Sequence, residues 1–407
     1  MNRRVAVTGI GVVSPLGDTF NASVVGLREG RHGIAKMPWD HINNLTTRLA
    51  APAKIDLAVQ LPRKATRTMG RVALLAAVAT EQALTDGGIT REEIATGNVG
   101  LAYGSTHGSS SANEEWARKL LTNNGFFGLA STAYLKFMSH TTAANLAVHF
   151  GFRGRIQTTC SACVSASQAI GYAYESIKYG MTDVMVAGGA EELHFSHAGV
   201  FDIMYATSRA FNDTPELSPR PFDTRRDGLV VGEGAGTFVL EEWSRAKAAG
   251  KHIYAEVIGF ATNCDGAHVT NPSANGMRDV MQLALKSAQI ERRDIDYVNA
   301  HATGTPVGDV AESQATFELF GNGVPVSSLK GNFGHTLGAC GSIEAAMCIA
   351  MMRDGFIAPT KNLDEVDPAC AALDYVRGEP RTAKLNTVMS NKFAFGGLNT
   401  SLLFRRA

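Results

Sequence analysis

Residues 155–177 read RIQTTCSACVSASQAIGYAYESI, and residues 324–352 read VPVSSLKGNFGHTLGACGSIEAAMCIAMM. Each stretch opens as a short strand and passes through a turn that carries reactive side chains. Each then continues as a helix that opens with Ala, Ser, Gly and Cys. Small side chains there let two such helices pack closely against each other. The echo implies one fold used twice, with residues 1–250 and 251–407 as the halves and the reactive residues at their seam.

Outward from these stretches, short β-branched runs alternate with longer helical patterns. Buried strands are expected at 5–9, 99–103, 184–188, 236–240, 255–260, 297–300 and 324–327. Helices are expected at 72–84, 164–179, 277–288 and 343–352. Strand–helix alternation predicts an α/β protein with largely parallel sheets covered on both faces.

The bulk numbers set limits. At 407 residues the chain has room for two ordinary domains or one large duplicated core, and 45% apolar composition leaves ample material to bury. Lys+Arg and Asp+Glu balance at 38 each, which argues against a nucleic-acid or anionic-membrane surface. The six cysteines follow no disulfide framework, so reduced thiols and a cytoplasmic location are expected. The opening MNRRVAVTGIGVVSPLG places two arginines before an apolar run, yet the run is β-branched and lacks a cleavage pattern. It reads as a strand. No run approaches the ~18 apolar residues of a membrane span.

Cys163 stands where a helical pattern begins, in T-T-C-S-A-C-V-S-A-S. Unpaired amides and the helix dipole at such a position are expected to lower a thiol's pKa from its reference of about 8.5. Thiolates attack thioesters and leave well, as acyl transfer requires. Cys160 and Cys163 also spell C-x-x-C, open to a redox pair, half a zinc site, or two small core residues. No second ligand pair at zinc spacing follows, so no metal is expected.

His301, in Y-V-N-A-H-A-T-G-T-P-V-G-D, and His335, in S-L-K-G-N-F-G-H-T-L-G-A-C-G, each follow an apolar strand. In α/β folds such strand ends face the functional crevice. Two neutral imidazoles donating N–H bonds suit an enolate oxygen, at about 3 kcal/mol per preorganised donor. Lys330, five residues before His335, is a fixed cation or a network anchor. Near the C-terminus, S-N-K-F-A-F-G-G-L-N-T-S-L-L-F offers a backbone N–H for an oxyanion hole or a plain turn before the last strand. G-I-G-V-V-S at 9–14 lacks the third glycine of a dinucleotide fingerprint, and G-E-G-A-G at 232–236 precedes a strand, so neither supports a nucleotide.

With V-T-G-I-G-V-V-S-P-L-G, C-S-A-C-V-S-A, S-P-R-P-F-D-T-R-R-D-G-L-V-V-G-E-G-A, H-A-T-G-T-P-V-G-D, L-K-G-N-F-G-H-T-L-G-A-C-G and F-A-F-G-G-L-N-T, the chain resembles the beta-ketoacyl-[acyl-carrier-protein] synthases of the elongating Cys–His–His type along essentially its whole length. The resemblance implies a thiolase fold of five layers, αβαβα, in two duplicated halves. It implies a ping-pong cycle in which Cys163 takes an acyl chain and His301 and His335 activate a malonyl thioester. Lys330 would support His335, and Glu344 would join the buried polar network. The amides of Cys163 and Phe395 would form the oxyanion hole, with Phe395 as gate. Thr303 and Thr305 would contact the pantetheine arm, Phe393 and Gly396 would flank the substrate, and Glu312 would be a structural acid. The substrates would arrive on the phosphopantetheine of an acyl carrier protein, with no other cofactor. A homodimer is expected, or a heterodimer with a related subunit. A non-catalytic chain-length-factor-like subunit and a thiolase-type acyltransferase are the rival readings; the first lacks the nucleophile, the second places a second cysteine near the C-terminus.

Departures from the family pattern are also legible. Ala394 stands where Gly commonly precedes the gating Phe, restricting backbone freedom. His107, in G-S-T-H-G, falls where the family lines the far end of the acyl pocket with an aliphatic or small residue. Arg63, Lys64 and Arg67 keep a basic cluster suited to an acidic carrier, whereas N-N-G-F-F-G-L-A lacks further basic residues. These features suggest a specialised carrier and substrate, and the C-terminal stretches are also similar to ketosynthases of bacterial aryl-polyene clusters.

Overall fold

The computed structural model describes residues 3–61, 66–266 and 268–407, and among them an eleven-stranded sheet runs through the molecule. Ten strands carry it: β1 (Val5–Val13), β2 (Val99–Gly104), β3 (Ile156–Thr159), β4 (Val184–Glu191), β5 (Gly234–Glu242), β6 (Ala255–Cys264), β7 (Tyr297–Ala300), β8 (Pro325–Ser328), β9 (Thr387–Ala394) and β10 (Leu398–Arg406). The short strand Asp374–Tyr375 extends it beyond β8.

From one edge the order is β3-β2-β4-β5-β1, then β6-β10-β9-β7-β8. Read outward from the central β1–β6 contact, both sides run first strand, fifth, fourth, second, third. Directions repeat too. The pairs β1/β5 and β4/β5 are antiparallel while β2/β4 and β2/β3 are parallel. Likewise β6/β10 and β9/β10 are antiparallel while β7/β9 and β7/β8 are parallel. At the junction Val5 pairs with Val257 and Val7 with Ala255, antiparallel. The expectation of largely parallel sheets is therefore corrected. In each half the fifth strand returns antiparallel, through a long excursion after β4 and a tight hairpin after β9, and half of the pairings follow it.

The strands alternate between two apolar faces, as period-two side chains must. On β4, Val184 and Val186 pack outward with α1 (Arg71–Asp86) and α2 (Thr141–Phe150). Met185 and Ala187 pack inward with α3 (Ser165–Lys178). In the second half Leu402 and Phe404 of β10 join the same inner cluster, whereas Leu403 turns outward to α5 (Ala274–Ala288) and α6 (Pro306–Phe320); α4 is Phe195–Ile203. The last long helix, α7 (Cys340–Asp354), lies beside α3 in the middle, and its residues 340–352 are all buried. The result is the implied five layers, αβαβα. Gly9 and Gly11 serve packing: a Cβ on either would collide with the backbone carbonyls of α1, at Ala83 and Ala79. Among the described residues no helix is long and apolar enough to cross a membrane.

Candidate active site

The chemistry-bearing residues collect where β2, β3, β4, β7 and β8 end. After β3 the backbone turns through Ala162 in the left-handed region (φ 48°) and enters a short 3-10 turn, Ala162–Val164, before α3. Cys163 sits at that vertex, buried. Its sulfur is 3.0 Å from His335 Nε2. The sulfur and the nearest ring nitrogens of His301 and His335 all lie within 4.8 Å of one another, and the two rings meet edge to face with centroids 5.0 Å apart. The structure brings the three predicted side chains together.

Each histidine is held by its own strand end. The amides of His301 and Ala302, just past β7, donate to Glu312 Oε1 and Oε2 at 2.8 and 2.6 Å. Thr303 and Gly304 amides donate to Asp309 Oδ1, also on α6. His335 follows Gly334 (φ 67°) and is pinned by backbone bonds to Val230 O and from Gly232 N. Burial lowers both imidazoles well below the usual histidine range, and the neighbouring Lys330 ammonium acts in the same direction. Both are therefore neutral near pH 7. Neither Nδ1 has a hydrogen-bond partner among the described residues.

Behind the pair lies a fully buried ionic triad. Lys330 Nζ donates to Glu344 Oε1 on α7, and Lys392 Nζ stands 3.0 Å from Glu344 Oε2. Burial by itself lowers the Lys330 ammonium's pKa, but the Glu344 carboxylate leads the opposing charges that raise it above the usual lysine value. Burial likewise pushes the Glu344 carboxyl up, and the two lysines more than reverse it. Lys392 was not among the expected residues. Its signal was a lysine inside a run of strand residues, T-V-M-S-N-K-F-A, where an inward charge demands a partner. Asp309, buried behind the Thr303–Gly304 turn, and Glu191, buried against the amides of Thr106 and Gly338, were also missed.

The thiol departs from expectation. Cys163 sits one short turn ahead of regular α-helix, and burial pushes its thiol up, outweighing the opposing pull of Lys330. The resting group is a thiol hydrogen-bonded to a neutral imidazole. One sulfur and two imidazoles are also a donor set for zinc, but the adjacent lysine ammonium groups oppose a dication there.

A cavity of about 480 Å³ runs from Cys163, His301 and His335 to the surface. Thr303, Thr305, Phe393, Phe395 and Glu312 border it, with the two threonine hydroxyls 3.2 Å apart. Phe395 stacks obliquely on Phe201 with centroids 5.2 Å apart. Gly396 and His107 do not border it. Gly396 (φ 87°) forms the exposed turn after β9, and its amide donates to Val269 O. His107 Nε2 is 2.6 Å from Ser110 Oγ, which is itself 2.7 Å from His197 Nε2. Arg67 is exposed, and Arg63 and Lys64 lie outside the described residues. All six cysteines are free thiols.

Against known proteins, residues 2–246 match the family described as beta-ketoacyl synthase, N-terminal domain, and residues 254–364 its C-terminal domain. The chain is 36% identical over 405 residues to the 3-oxoacyl-[acyl-carrier-protein] synthase 1 of Haemophilus influenzae, covering 99% of both chains. A beta-ketoacyl synthase from Burkholderia phymatum STM815 superposes with a TM-score of 0.96 at 52% identity, covering 100% of both. A ketosynthase solved in complex with its type II polyketide synthase acyl-carrier protein superposes with a TM-score of 0.90 at 28% identity, again over 100% of both.

Proposed function

The chain belongs to the beta-ketoacyl synthase family, and from that premise we propose which groups carry its reaction. The activity is that of a 3-oxoacyl-[acyl-carrier-protein] synthase, an acyltransferase that condenses a malonyl thioester with an enzyme-bound acyl group in fatty-acid or polyketide chain elongation. The observation that carries the assignment of residues is the 3.0 Å contact between Cys163 Sγ and His335 Nε2 at the floor of the cavity.

Cys163 is the nucleophile. As its sulfur adds to an acyl thioester, the thiol proton passes to His335, which hands a proton on to the carrier's sulfur as the old C–S bond breaks, so that the carrier leaves as a thiol and His335 is neutral again. A malonyl thioester then enters and loses CO2. The electron pair left behind spreads onto the thioester oxygen, where N–H groups of His301 and His335 receive it at about 3 kcal/mol per donor. The enolate carbon attacks the acyl-enzyme, the C–S bond to Cys163 breaks, and the sulfur recovers a proton from solvent by way of His335. The amides of Cys163 and Phe395 serve as the oxyanion hole of both acyl transfers, with Phe395 as gate. Lys330 and Glu344 fix the field behind His335, and Glu312 fixes the His301 turn. Thr303 and Thr305 receive the pantetheine arm beside Phe393, while Gly396, outside the cavity, is not given a substrate contact. No cofactor beyond that arm is required.

Neither rival reading accommodates Cys163 and the run N-K-F-A-F-G-G together, since one lacks the nucleophile and the other needs a second cysteine. We place the acyl chain on the far side of Cys163, toward the His107–Ser110–His197 hydrogen-bonded chain, a polar end unlike that expected for plain fatty chains, with Ala394 stiffening the gate. This favours a specialised polyene or polyketide pathway. Edge strand β3 presents an unpaired side with Ile156 exposed, suiting a second subunit, which we take to be a second copy. Arg67, with Arg63 and Lys64, would steer an acidic carrier. Six unpaired thiols fit the cytoplasm.

The test is mass spectrometry of the purified protein given acyl- and malonyl-carrier substrates. An acyl adduct on the Cys163 peptide and a 3-oxoacyl carrier product are expected, with saturated medium and long chains elongated more slowly than unsaturated or aryl ones. An adduct elsewhere sinks the residue assignment, and a flat substrate profile sinks the role of His107.

A further inference from the structure

A lysine with no exposed surface needs a reason, because burying a charge is costly unless oxygens replace its water. Lys392 is fully buried on β9, and with Val388 and Ser390 it faces the side of the sheet that packs on α7. Its Nζ donates to Asn391 O at 2.7 Å, Asn299 Oδ1 at 2.9 Å and Ser390 Oγ at 3.2 Å, and Glu344 Oε2 stands 3.0 Å away. Ser390 Oγ is itself 3.0 Å from Asn299 Oδ1, which closes the ring. Four oxygens from three elements thus surround an ammonium that has three N–H groups to give. Such a shell suits a cation of any shape. Its distances exceed the about 2.0–2.6 Å at which oxygens hold Mg²⁺ or Ca²⁺, so it fits a large monovalent ion.

Counting charges shows what that ion does. Lys330 and Glu344 alone would cancel, and Lys392 leaves the buried triad positive by one. Glu312, within reach of the Lys392 charge, is pushed up to about 8 by burial, so it is mostly uncharged near pH 7. The surplus therefore stands uncancelled behind the histidines. It favours negative charge on a thioester oxygen as an enolate forms, and it disfavours imidazolium. Burial comes first in keeping both imidazoles neutral, then Lys330, with Lys392 adding to them.

We propose that Lys392 is a positioning residue acting as a tethered monovalent cation: it gives the triad its surplus charge from within the chain, so that the histidine pair works without any dissolved ion. This role rests on the ketosynthase reading of Cys163, His301 and His335, and Lys392, which does not border the cavity, touches no reacting atom. The groups that face it are Cys340, Glu344 and Cys348 on α7, Lys330 and His335 after β8, His301 after β7 and Glu312 on α6. Its charge pulls the thiols, carboxyls and imidazoles among them toward their deprotonated forms. Removing it should move the acid limb of the pH–rate profile to higher pH, whichever group carries that limb.

Two variants separate charge from packing. Lys392→Ser removes the ammonium and leaves a hole among its oxygens, whereas Lys392→Met removes the charge and fills the hole. Condensation of octanoyl and malonyl groups on a purified bacterial type II acyl carrier protein is followed in potassium, ammonium or tetramethylammonium chloride, each at about 0.2 M so that screening is equal. Wild-type kcat should change less than about twofold across the three salts. Lys392→Ser should lose at least about tenfold in tetramethylammonium, with its acid limb raised by about one pH unit, and regain most of both in potassium or ammonium. Lys392→Met should lose as much and regain nothing. A Lys392→Ser protein that is fully active in tetramethylammonium, or that stays inactive or unfolded in potassium and ammonium alike, overturns this role. So does a wild-type enzyme that needs potassium, or equal recovery by Lys392→Met. Recovery of folding and kcat with no movement of the acid limb would make Lys392 structural only, and overturns it too. A wild-type protein that condenses in none of the salts overturns the ketosynthase reading instead.

Discussion

In the N-terminal half, β3 is followed by only Cys160 and Ser161 before the chain turns at Ala162 (φ 48°), makes a 3-10 turn and enters α3. In the C-terminal half, β8 is followed by residues 329–336 before the same turn is made at Leu337 (φ 45°), again through a 3-10 turn into α7. The residue after the left-handed position is Cys163 in one half and Gly338 in the other. A Cβ on Gly338 would come 2.7 Å from Thr106 N and 2.9 Å from Glu191 Oε2. One vertex therefore carries a reactive side chain, while the other has been emptied and is plugged by a carboxyl from the opposite half. The extra residues before the emptied vertex carry Lys330 and His335, and His335 reaches across the seam to the first vertex. Duplication supplied two equivalent corners, and the division of labour between them makes one site.

Removing the loaded vertex gives the largest expected effect. Cys163→Ala should lower condensation by on the order of 10⁴-fold or more, because no acyl-enzyme forms. Decarboxylation of a malonyl thioester should persist, since the histidine pair is untouched. Product mass and CO2 release separate the two, and full condensation by this variant would refute the assignment.

Next in size are the groups sent across the seam. His301→Ala and His335→Ala should each cost about 10²–10³-fold in kcat. Only His335→Ala should also slow alkylation of Cys163 by a thiol reagent, because among the described residues the side-chain hydrogen bond to the sulfur comes from His335 and not from His301. Equal alkylation rates in the two variants would place the proton acceptor elsewhere. Filling the emptied vertex is smaller again. Gly338→Ala must move Thr106 or Glu191, and about 1–3 kcal/mol of stability should be lost in denaturant titration.

Much of this division was legible in the residues themselves. The repeated strand–turn–small-residue helix pointed to two like corners, and the reactive residues stand in them. What escaped was whatever depends on packing. The hairpin β9–β10 was hidden because Ser390, Asn391 and Lys392 are polar yet fully inside. The direction of each fifth strand has no local signature, so the mixed sheet read as parallel. Cys163 lies at the turn into α3, where a helical pattern was expected to begin, but its thiol was expected to be lowered by the helix start; burial, which no local pattern reports, acts the other way. Glu191 sat unremarked at the end of an apolar strand, because its partners lie at Thr106 and Gly338.

Glu191 gives the most selective test of the comparison. Its Oε2 accepts the Thr106 amide at 3.0 Å and the Gly338 amide at 3.2 Å, while Oε1 is buried with no partner among the described residues. Burial pushes the carboxyl up to about 8, far above its value of about 4.3 in an unfolded chain. The folded protein thus holds a proton that the unfolded chain releases, and stability from this group is complete below the unfolded pKa. It falls as pH rises through that window and is lost once pH passes the folded pKa. Glu191→Gln keeps an acceptor for both amides and removes the titration. At pH 4 the variant should match the wild type within about 1 kcal/mol. Its advantage in denaturant midpoint should then grow steadily to about pH 8 and level off. Glu312 and Asp309 titrate in overlapping windows, pushed up to about 8 and about 6, but they are common to both proteins and cancel in the difference. A difference that stays flat from pH 4 to 8 would mean that Glu191 is ionised in the fold, and that the emptied corner is held by a charge.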